Sequence, residues 1–510
     1  MLDLLISGFA VMLTPKMIFF VIAAVFLGTL FGALPGVSAT MAVTLGIPFT
    51  YSMTAVESIV FLVAVYCASI TGGGMTAILF KIPGVPSSAP TTYDGYPMAQ
   101  QGQAGKALGI QLLCSAIGGM FAALAMLLLC GPLTTAAVSF GPAELFAIAL
   151  LGLSILSSLD VDNICRTIIS GLIGLLIACI GIDPLLGVPR MTYGFMSLNS
   201  GMEMIPIMIG FFAVTEVLKQ TRKRDTLSAV GEVKQMKTVF PKLWELLSVK
   251  WTIIRCSVAG TVIGILPGAG ATIAAFMCYS MEQKLSKHPE KFGTGCIDGI
   301  AAPETGNNAA TGGSMVPLLS LGIPGGNAAA IMMSALVLKG VQMGPMLLVK
   351  QPVFLSATFA SMFFANIVMI FAAMILAKVF VQVLRIPYAI LGPMIIMMAT
   401  IGAFATKNIA TDVMVMAVCG LIGFAFVACK FDVSAMILGL VLGKICESNL
   451  RRAYTIADGD TLLSTTWNVF TQPLKIAPVP LTAILIITCL LVLVSPGLKK
   501  LWDKRKAARA

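Results

Sequence analysis

Four short stretches of this chain bring hydroxyls, amides, glycines and prolines together in otherwise apolar surroundings, and they fall into two pairs. GTLFGALPGVSAT (Gly28 to Thr40) and GTVIGILPGAGAT (Gly260 to Thr272) share Gly, Thr, Gly, Leu, Pro, Gly, Ala and Thr at the same offsets. TGGGMTAILFKIPG (Thr71 to Gly84) answers TGGSMVPLLSLGIPG (Thr311 to Gly325), with one residue inserted in the second copy when the Thr-Gly-Gly triplets are aligned. Immediately before the later copy, AAPETGNNAATGG adds Glu304, Thr305, Asn307 and Asn308.

The chemistry follows from what proline does to a buried helix. It removes one backbone hydrogen bond at a cost of about 3 kcal/mol, and lipid cannot satisfy the groups it frees. Breaks at Pro35, Gly36 and at Pro267, Gly268 therefore end one half-helix in bare carbonyls, which suit a cation, and start another in bare N–H groups, which suit an anion. Ser38 and Thr40 add hydroxyls to the first break, and Gly270 and Thr272 follow the second. Thr71, Gly72 and Gly73, like Thr311, Gly312 and Gly313, pair a hydroxyl with glycines over which a ligand could reach the main chain. Further breaks follow at Pro83, Gly84 and at Pro324, Gly325, trailed by Ser87 and Ser88 in the first half and by Gly326 and Asn327 in the second. Neutral donors dominate, which suits a polyoxygenated anion held by amides and helix ends beside an alkali cation held by carbonyls. Close helix packing through small residues is the competing account; it explains a single break more readily than a matched pair.

Isolated charges beside the breaks are Lys81, Asp94, Asp298 and Glu304, and an ionisable group at membrane depth is a functional candidate by default. Asp94, Asp298 and Glu304 are accordingly the candidates for coupling a cation. Asp183, Arg190, Glu447 and Arg451 stand near apparent span ends, where pairing or interface anchoring is expected. No catalytic residue and no metal site is expected. A nucleotide loop of the GxxxxGK[ST] form is absent, the sole His288 lies in a polar segment, and no GxGD occurs, so an intramembrane hydrolase is disfavoured.

The elements that carry these residues must be membrane helices. The 510 residues are 58% hydrophobic and 11% charged, and soluble domains are about 25% charged. Apolar runs long enough for about 30 Å of hydrocarbon occur at 107–129, 167–186 and 353–380. No signal peptide is evident, since Asp3 stands where a basic region belongs. Twelve scattered cysteines, most of them in apolar runs, read as small buried hydrophobes.

The net charge of +11 is concentrated in two places. Lys219, Arg222, Lys223, Arg224, Lys234, Lys237, Lys242 and Lys250 crowd a central loop, and Lys499, Lys500, Lys504, Arg505, Lys506 and Arg509 crowd the tail. Cytoplasmic loops collect such residues, so contact with lipid heads is expected there and nucleic acid is not. The expected organisation is a first repeat half at 1–218, a basic linker at 219–250, a second half at 251–498 and a basic tail at 499–510. Lys250 and Arg255 precede the second break and Lys284, Lys287 and Lys291 follow it, as in a hairpin that enters and returns on the cytoplasmic side. The first copy has only Lys16 and Glu57 as flanks. The fold class expected is an all-α polytopic membrane protein with two inverted repeats whose broken, re-entrant helices meet near the bilayer midplane.

With GALPGVSATMAV, GILPGAGATIAAF and APETGNNAATGGSMVPLLSLGIPGG in view, the sequence resembles the large membrane subunit of tripartite tricarboxylate transporters, the TctA family, from Gly28 to about Val494. The resemblance implies a permease of the bacterial inner membrane. It implies two partners, a small membrane subunit and a periplasmic solute-binding protein, and uptake of citrate-like carboxylates driven by a Na⁺ or H⁺ gradient, with no other cofactor. A passive anion channel is the alternative, and self-association is left open.

Overall fold

The computed structural model describes residues 2–34, 36–159, 164–183, 186–199, 201–222, 239–383, 388–457, 461–471 and 480–493. Along the chain the helices are α1 (Leu2–Met12), α2 (Pro15–Ala33), α3 (Ala39–Thr50), α4 (Ala55–Phe80), α5 (Thr91–Met98), α6 (Ala104–Val138), α7 (Pro142–Leu159), α8 (Ile164–Ala178), α9 (Met204–Ile209), α10 (Thr215–Arg222), α11 (Leu243–Ser248), α12 (Lys250–Ile265), α13 (Gly270–Leu285), α14 (Ile297–Leu321), α15 (Asn327–Leu338), α16 (Leu347–Lys350), α17 (Pro352–Val383), α18 (Tyr388–Ala405), α19 (Ala410–Ala428), α20 (Val433–Ile456) and α21 (Leu462–Thr471). A further apolar helix, α22, spans Leu481–Leu493. The only strands among the described residues are β1 (Gly181–Ile182) and β2 (Pro189–Arg190), paired antiparallel. Among the described residues seven helical spans are long and apolar enough to cross a membrane, and the protein is an all-α polytopic membrane protein. The basic residues Lys223, Arg224, Lys234 and Lys237 and those of the tail lie outside the described residues, as does Pro35.

Two compact units divide the chain, each discontinuous in sequence. The first comprises Met1–Gly131, Ile205–Ile265 and Ala269–Phe424; the second comprises Pro132–Met204, Leu266–Gly268 and Ala425–Ala510.

All four breaks read from the sequence are present. Helix α2 stops at Ala33 and α3 starts at Ala39, capped by Ser38, whose Oγ accepts from Met41 N at 3.1 Å. Helix α12 stops at Ile265 and α13 starts at Gly270. Gly36 and Gly268 have φ of 88° and 83°, the left-handed region that glycine adopts without strain. The later breaks are also alike: α4 ends at a left-handed Lys81 (φ 58°) and α14 at a left-handed Gly322 (φ 73°). Helix α4 is fixed at its other end by a capping box, Thr54 with Glu57, and Lys16 Nζ donates to Glu57 Oε1 at 2.6 Å. The arms α12 and α13 have 16 residues each, about 24 Å, and neither crosses the hydrocarbon alone. The arms of the first copy are unequal: α3 has 12 residues and α2 has 19, the latter about 28 Å long and close to a full crossing.

In the first unit the same packing occurs twice. A Cβ added to Gly28 of α2 would stand 2.5 Å from Val65 O of α4, and one on Gly32 would stand 1.8 Å from Ser69 O. In the second copy Gly260 would meet Gly306 O at 2.4 Å and Gly264 would meet Ala310 O at 2.5 Å. The reverse contacts match as well, Gly72 facing Thr29 O and Gly313 facing Thr261 O, both at 2.3 Å. Gly84 N donates to Gly73 O and Gly325 N donates to Ser314 O. These pairs correct the sequence alignment by one position. With Gly72 equivalent to Gly313 and Gly73 to Ser314, Thr71 is the counterpart of Gly312 and Thr311 that of Ile70, and the second copy contains no insertion. Helices α4 and α14 are buried on nearly every side, whereas Val258, Val262, Met277, Phe371, Ile375 and Leu421 stand exposed, the apolar surface that lipid covers.

The second unit is built on α7, α8 and α20. Gly174 lies over Met436 O and Gly439 over Gly171 O, another glycine-mediated close approach. Asp183, next to β1, accepts from Arg451 Nη1 at 2.9 and 2.8 Å, while Arg190 and Arg451 both pair with Glu447. The expectation of pairing holds for all four. All twelve cysteines are free; eight are buried, while Cys165 and Cys429 are exposed.

Candidate functional site

Within the first unit α4, α14 and the short turn Pro86–Ser88 bring many of the candidate residues into one buried polar cluster. Thr71 Oγ1 donates to Asn308 Oδ1 at 3.2 Å and stands 3.2 Å from Met369 Sδ of α17. Asn308 Nδ2 donates to Asn307 Oδ1 at 2.9 Å, and Asn307 Nδ2 donates to Ser87 O at 3.3 Å. Thr311 Oγ1 donates to Asn308 O and lies 3.6 Å from Cys67 Sγ, while Ser88 Oγ reaches Ile70 O at 3.5 Å. Thr71, Asn307, Asn308, Thr311 and Ser88 are fully buried. Such a cluster holds only if its polar groups find one another, and here each amide spans two elements.

Glu304, one turn before Asn308, is also fully buried. Thr91 Oγ1 donates to its Oε1 at 2.5 Å; Ser115 Oγ and Gln111 Nε2 donate to its Oε2 at 2.9 and 3.2 Å. Gln111 Nε2 also donates to Thr71 O at 2.9 Å, tying the carboxylate to α4, and Gln111 Oε1 has no partner. Gln111 and Ser115 escaped the reading of the sequence because they sit in the apolar run 107–129; their spacing of one helical turn is the signal that would have found them.

The other two acids have plain structural work. Asp94 Oδ1 accepts from Gly293 N, Gly295 N and Cys296 N, each at 2.9 Å, and Oδ2 accepts from Tyr279 Oη at 2.8 Å. The N–H groups come from a turn whose Gly293 and Gly295 have φ of 88° and 104°, a nest of the kind that holds anions, filled here by the protein's own carboxylate. Asp298 accepts from Thr252 Oγ1 at 2.6 Å, next to Glu282, which Arg255 grips at 2.7 and 2.6 Å. His288 is exposed and faces Glu290.

The glycines divide by role. Gly72, Gly73, Gly312 and Gly313 lie inside helices, not in loops, and a Cβ on any of them would fall within 2.3 to 2.6 Å of a neighbouring element. Close helix packing accounts for them, as it does for Gly84, set against Gly32 O, and Gly325, set against Gly264 O. At the helix starts there is more room. Gly270 (φ 60°) has nothing within 4 Å of a would-be Cβ, and Gly326 has only Gly270 Cα, at 3.6 Å. The N-termini of α13 and α15 thus adjoin, with Thr272 and Asn327 half-buried in their first turns. Pro324 is buried, and Pro83 and Thr40 are half-buried. The side chain of Gln220 closes over Gly36. Pro267 and Gly268 belong to the second unit, where Pro267 packs on Gly152.

Paired broken helices and a buried polar cluster, in a polytopic helical protein, define a multi-pass membrane protein. The chain belongs to the tripartite tricarboxylate transporter TctA family, whose model matches residues 18–438. That family supplies the membrane subunit of a transporter that also has a small membrane subunit and a periplasmic binding subunit. The chain is 34% identical over 507 residues, 99% of each chain, to an uncharacterized 52.8 kDa protein in the TAR-I ttuC' 3' region of Agrobacterium vitis. It is 38% identical over 207 residues, 41% of this chain and 86% of the relative, to an uncharacterized protein in the TAR-II ttuC' 3' region of the same organism. No solved structure matches it.

Proposed function

We propose that this chain is the permease of a secondary active system that imports di- and tricarboxylates of the citrate type into a bacterial cell, driven by a Na⁺ or H⁺ gradient. A periplasmic binding protein hands over the substrate, and a small membrane subunit completes the assembly in the inner membrane. The observation that carries the reading is the adjoining pair of helix N-termini at Gly270 and Gly326–Asn327. Their positive helix ends suit a carboxylate, and the Ser38-capped start of α3 offers the same chemistry in the other copy. Lys250 and Arg255 before the second hairpin, with Lys284, Lys287 and Lys291 after it, support a cytoplasmic origin for that hairpin and an inverted relation to the first. Transport then proceeds by alternating access, one unit shifting in an elevator-like motion.

Uptake of radiolabelled carboxylates into proteoliposomes containing the full chain and its partner subunits tests the proposal. Gradient-dependent accumulation is expected. Accumulation absent for every carboxylate in the panel would sink it, and single-channel currents would favour a passive pore. Thr71→Val and Thr311→Val should reduce uptake far more than the amount of protein in the membrane.

A further inference from the structure

The coupling cation can be narrowed further, on the reading that this chain is a cation-driven carboxylate carrier. Of the three candidate acids, Asp94 is held by three N–H groups of a turn and by the Tyr279 hydroxyl, and Asp298 pairs with Thr252 at a half-exposed position. Asp94 and Glu304 are both fully buried, but Asp94 sits among main-chain N–H groups, whereas Glu304 is held by side chains alone: its donors are the uncharged groups of Thr91, Gln111 and Ser115, with Asn307 a fourth. The elements around it carry the ionisable side chains of Glu57, Tyr66 and Cys67 (α4), Tyr93, Asp94 and Tyr96 (α5), Lys106, Cys114 and Cys130 (α6), Lys250, Arg255 and Cys256 (α12), Cys278, Tyr279, Glu282 and Lys284 (α13), and Asp298 on α14 itself; of the cations, Lys106 pairs with Glu245 and Arg255 with Glu282, and none is among the hydrogen-bond donors to Glu304. A buried carboxylate held only by uncharged side chains carries a desolvation cost that an incoming proton or metal ion would relieve.

The geometry discriminates between a metal ion and a proton. A Cβ on Gly74 would stand 2.6 Å from Glu304 Oε1 and 2.6 Å from Gln111 Nε2, so the carboxylate is packed directly against the α4 backbone. Two of its four partners present NH₂ groups, whose hydrogens repel a metal ion, and only two are hydroxyls able to turn an oxygen toward it. A proton needs no such space, and the hydroxyl of Ser115 or Thr91 can rotate to accept it.

We propose that Glu304 carries the coupling proton. The proton adds to the carboxylate from the outer side, travels on the neutral acid with the substrate, and leaves to the cytoplasm, restoring the carboxylate. Gln111 links this change to the rest of the cluster, because the same Nε2 that meets Glu304 Oε2 also holds Thr71 O, and its buried Oε1 has no partner to hold the amide in place. When Glu304 gains its proton the amide loses an acceptor and its hold on Thr71, itself bonded to Asn308, is altered.

The test uses the full chain with its partner subunits in proteoliposomes, with an inside-alkaline pH gradient or an inward Na⁺ gradient imposed separately, together with the pH dependence of citrate affinity. For the wild type, the pH gradient alone should drive uptake, and affinity should fall about tenfold per pH unit above the midpoint, as linkage to one proton requires. Glu304→Gln should lose gradient-driven uptake by at least about 100-fold and show affinity that no longer varies with pH. Ser115→Ala keeps the carboxylate but removes a donor that favours its charged form, so the midpoint should move up by about 0.5–1 pH unit. Uptake driven by Na⁺ alone, an unchanged pH dependence in Glu304→Gln, or an unmoved midpoint in Ser115→Ala would overturn the assignment to Glu304 while leaving the carrier reading intact. A wild type that moves no carboxylate under either gradient would take both down.

Discussion

The helix pairs α2/α4 and α12/α14 use one packing frame for different work. Gly28, Gly32 and Gly72 in one, and Gly260, Gly264 and Gly313 in the other, bring backbones together at equivalent points. On that frame the polar load is one-sided. Glu304, Asn307 and Asn308 of α14 correspond to Val63, Tyr66 and Cys67 of α4, while Thr71 and Ser69 of α4 correspond to Gly312 and Ala310. The first helix contributes one hydroxyl and two main-chain carbonyls, those of Ile70 and Thr71; the second contributes the carboxylate, both amides and the Thr311 hydroxyl. The two pairs share the contacts in which a side chain would obstruct its neighbour and differ at the remaining positions.

The largest effects should come from breaking the shared frame. Gly32→Val and Gly264→Val each drive a branched side chain into a carbonyl, a clash that costs about 3 kcal/mol or more, with Gly32 the worse at 1.8 Å against 2.5 Å. Thermal unfolding in detergent checks this, and a variant that melts like the wild type would show that one copy does not need the frame. Next come the diverged positions. Asn308→Leu strips partners from Thr71 and Asn307 and should cost about 2–3 kcal/mol together with most of the uptake, whereas Cys67→Ala at the equivalent site should cost about 1 kcal/mol and leave uptake near normal. Equal losses from the two would contradict the one-sided load. The smallest effect concerns the helix ends. Lys81→Gly should stabilise the protein by about 1 kcal/mol, since a left-handed residue with a Cβ is strained, and Gly322→Ala should destabilise it by a similar amount, its Cβ meeting Met343 O at 3.1 Å. Opposite shifts in melting temperature would confirm that the two ends are equivalent.

The breaks were legible in the sequence because Pro-Gly pairs act locally: Pro267, Gly268 and their counterparts end helices whatever surrounds them. The meaning of the Thr-Gly-Gly triplets was not. A missing side chain suits a ligand and a neighbouring carbonyl equally well, and only the neighbour, Thr29 O or Thr261 O, decides between them. The one-position slip has a similar origin, since identical letters aligned Thr71 with Thr311 while the backbone contacts align Gly72 with Gly313. Glu304 and the two asparagines stood out as polar residues in apolar company. Asp94 stood out too, but its partners are main-chain N–H groups, which leave no trace in residue types.

That turn around Asp94 bears on movement. With its carboxylate in α5 fastened to residues 293–296 at the head of α14 and to Tyr279 of α13, these three helices cannot shift past one another without unseating an anion from its nest. A proton on Glu304 therefore cannot be relayed by a small tilt of α14 alone. Any stroke that carries it must transport α5, α13 and α14 together, as a single block of cargo with the clasp already shut.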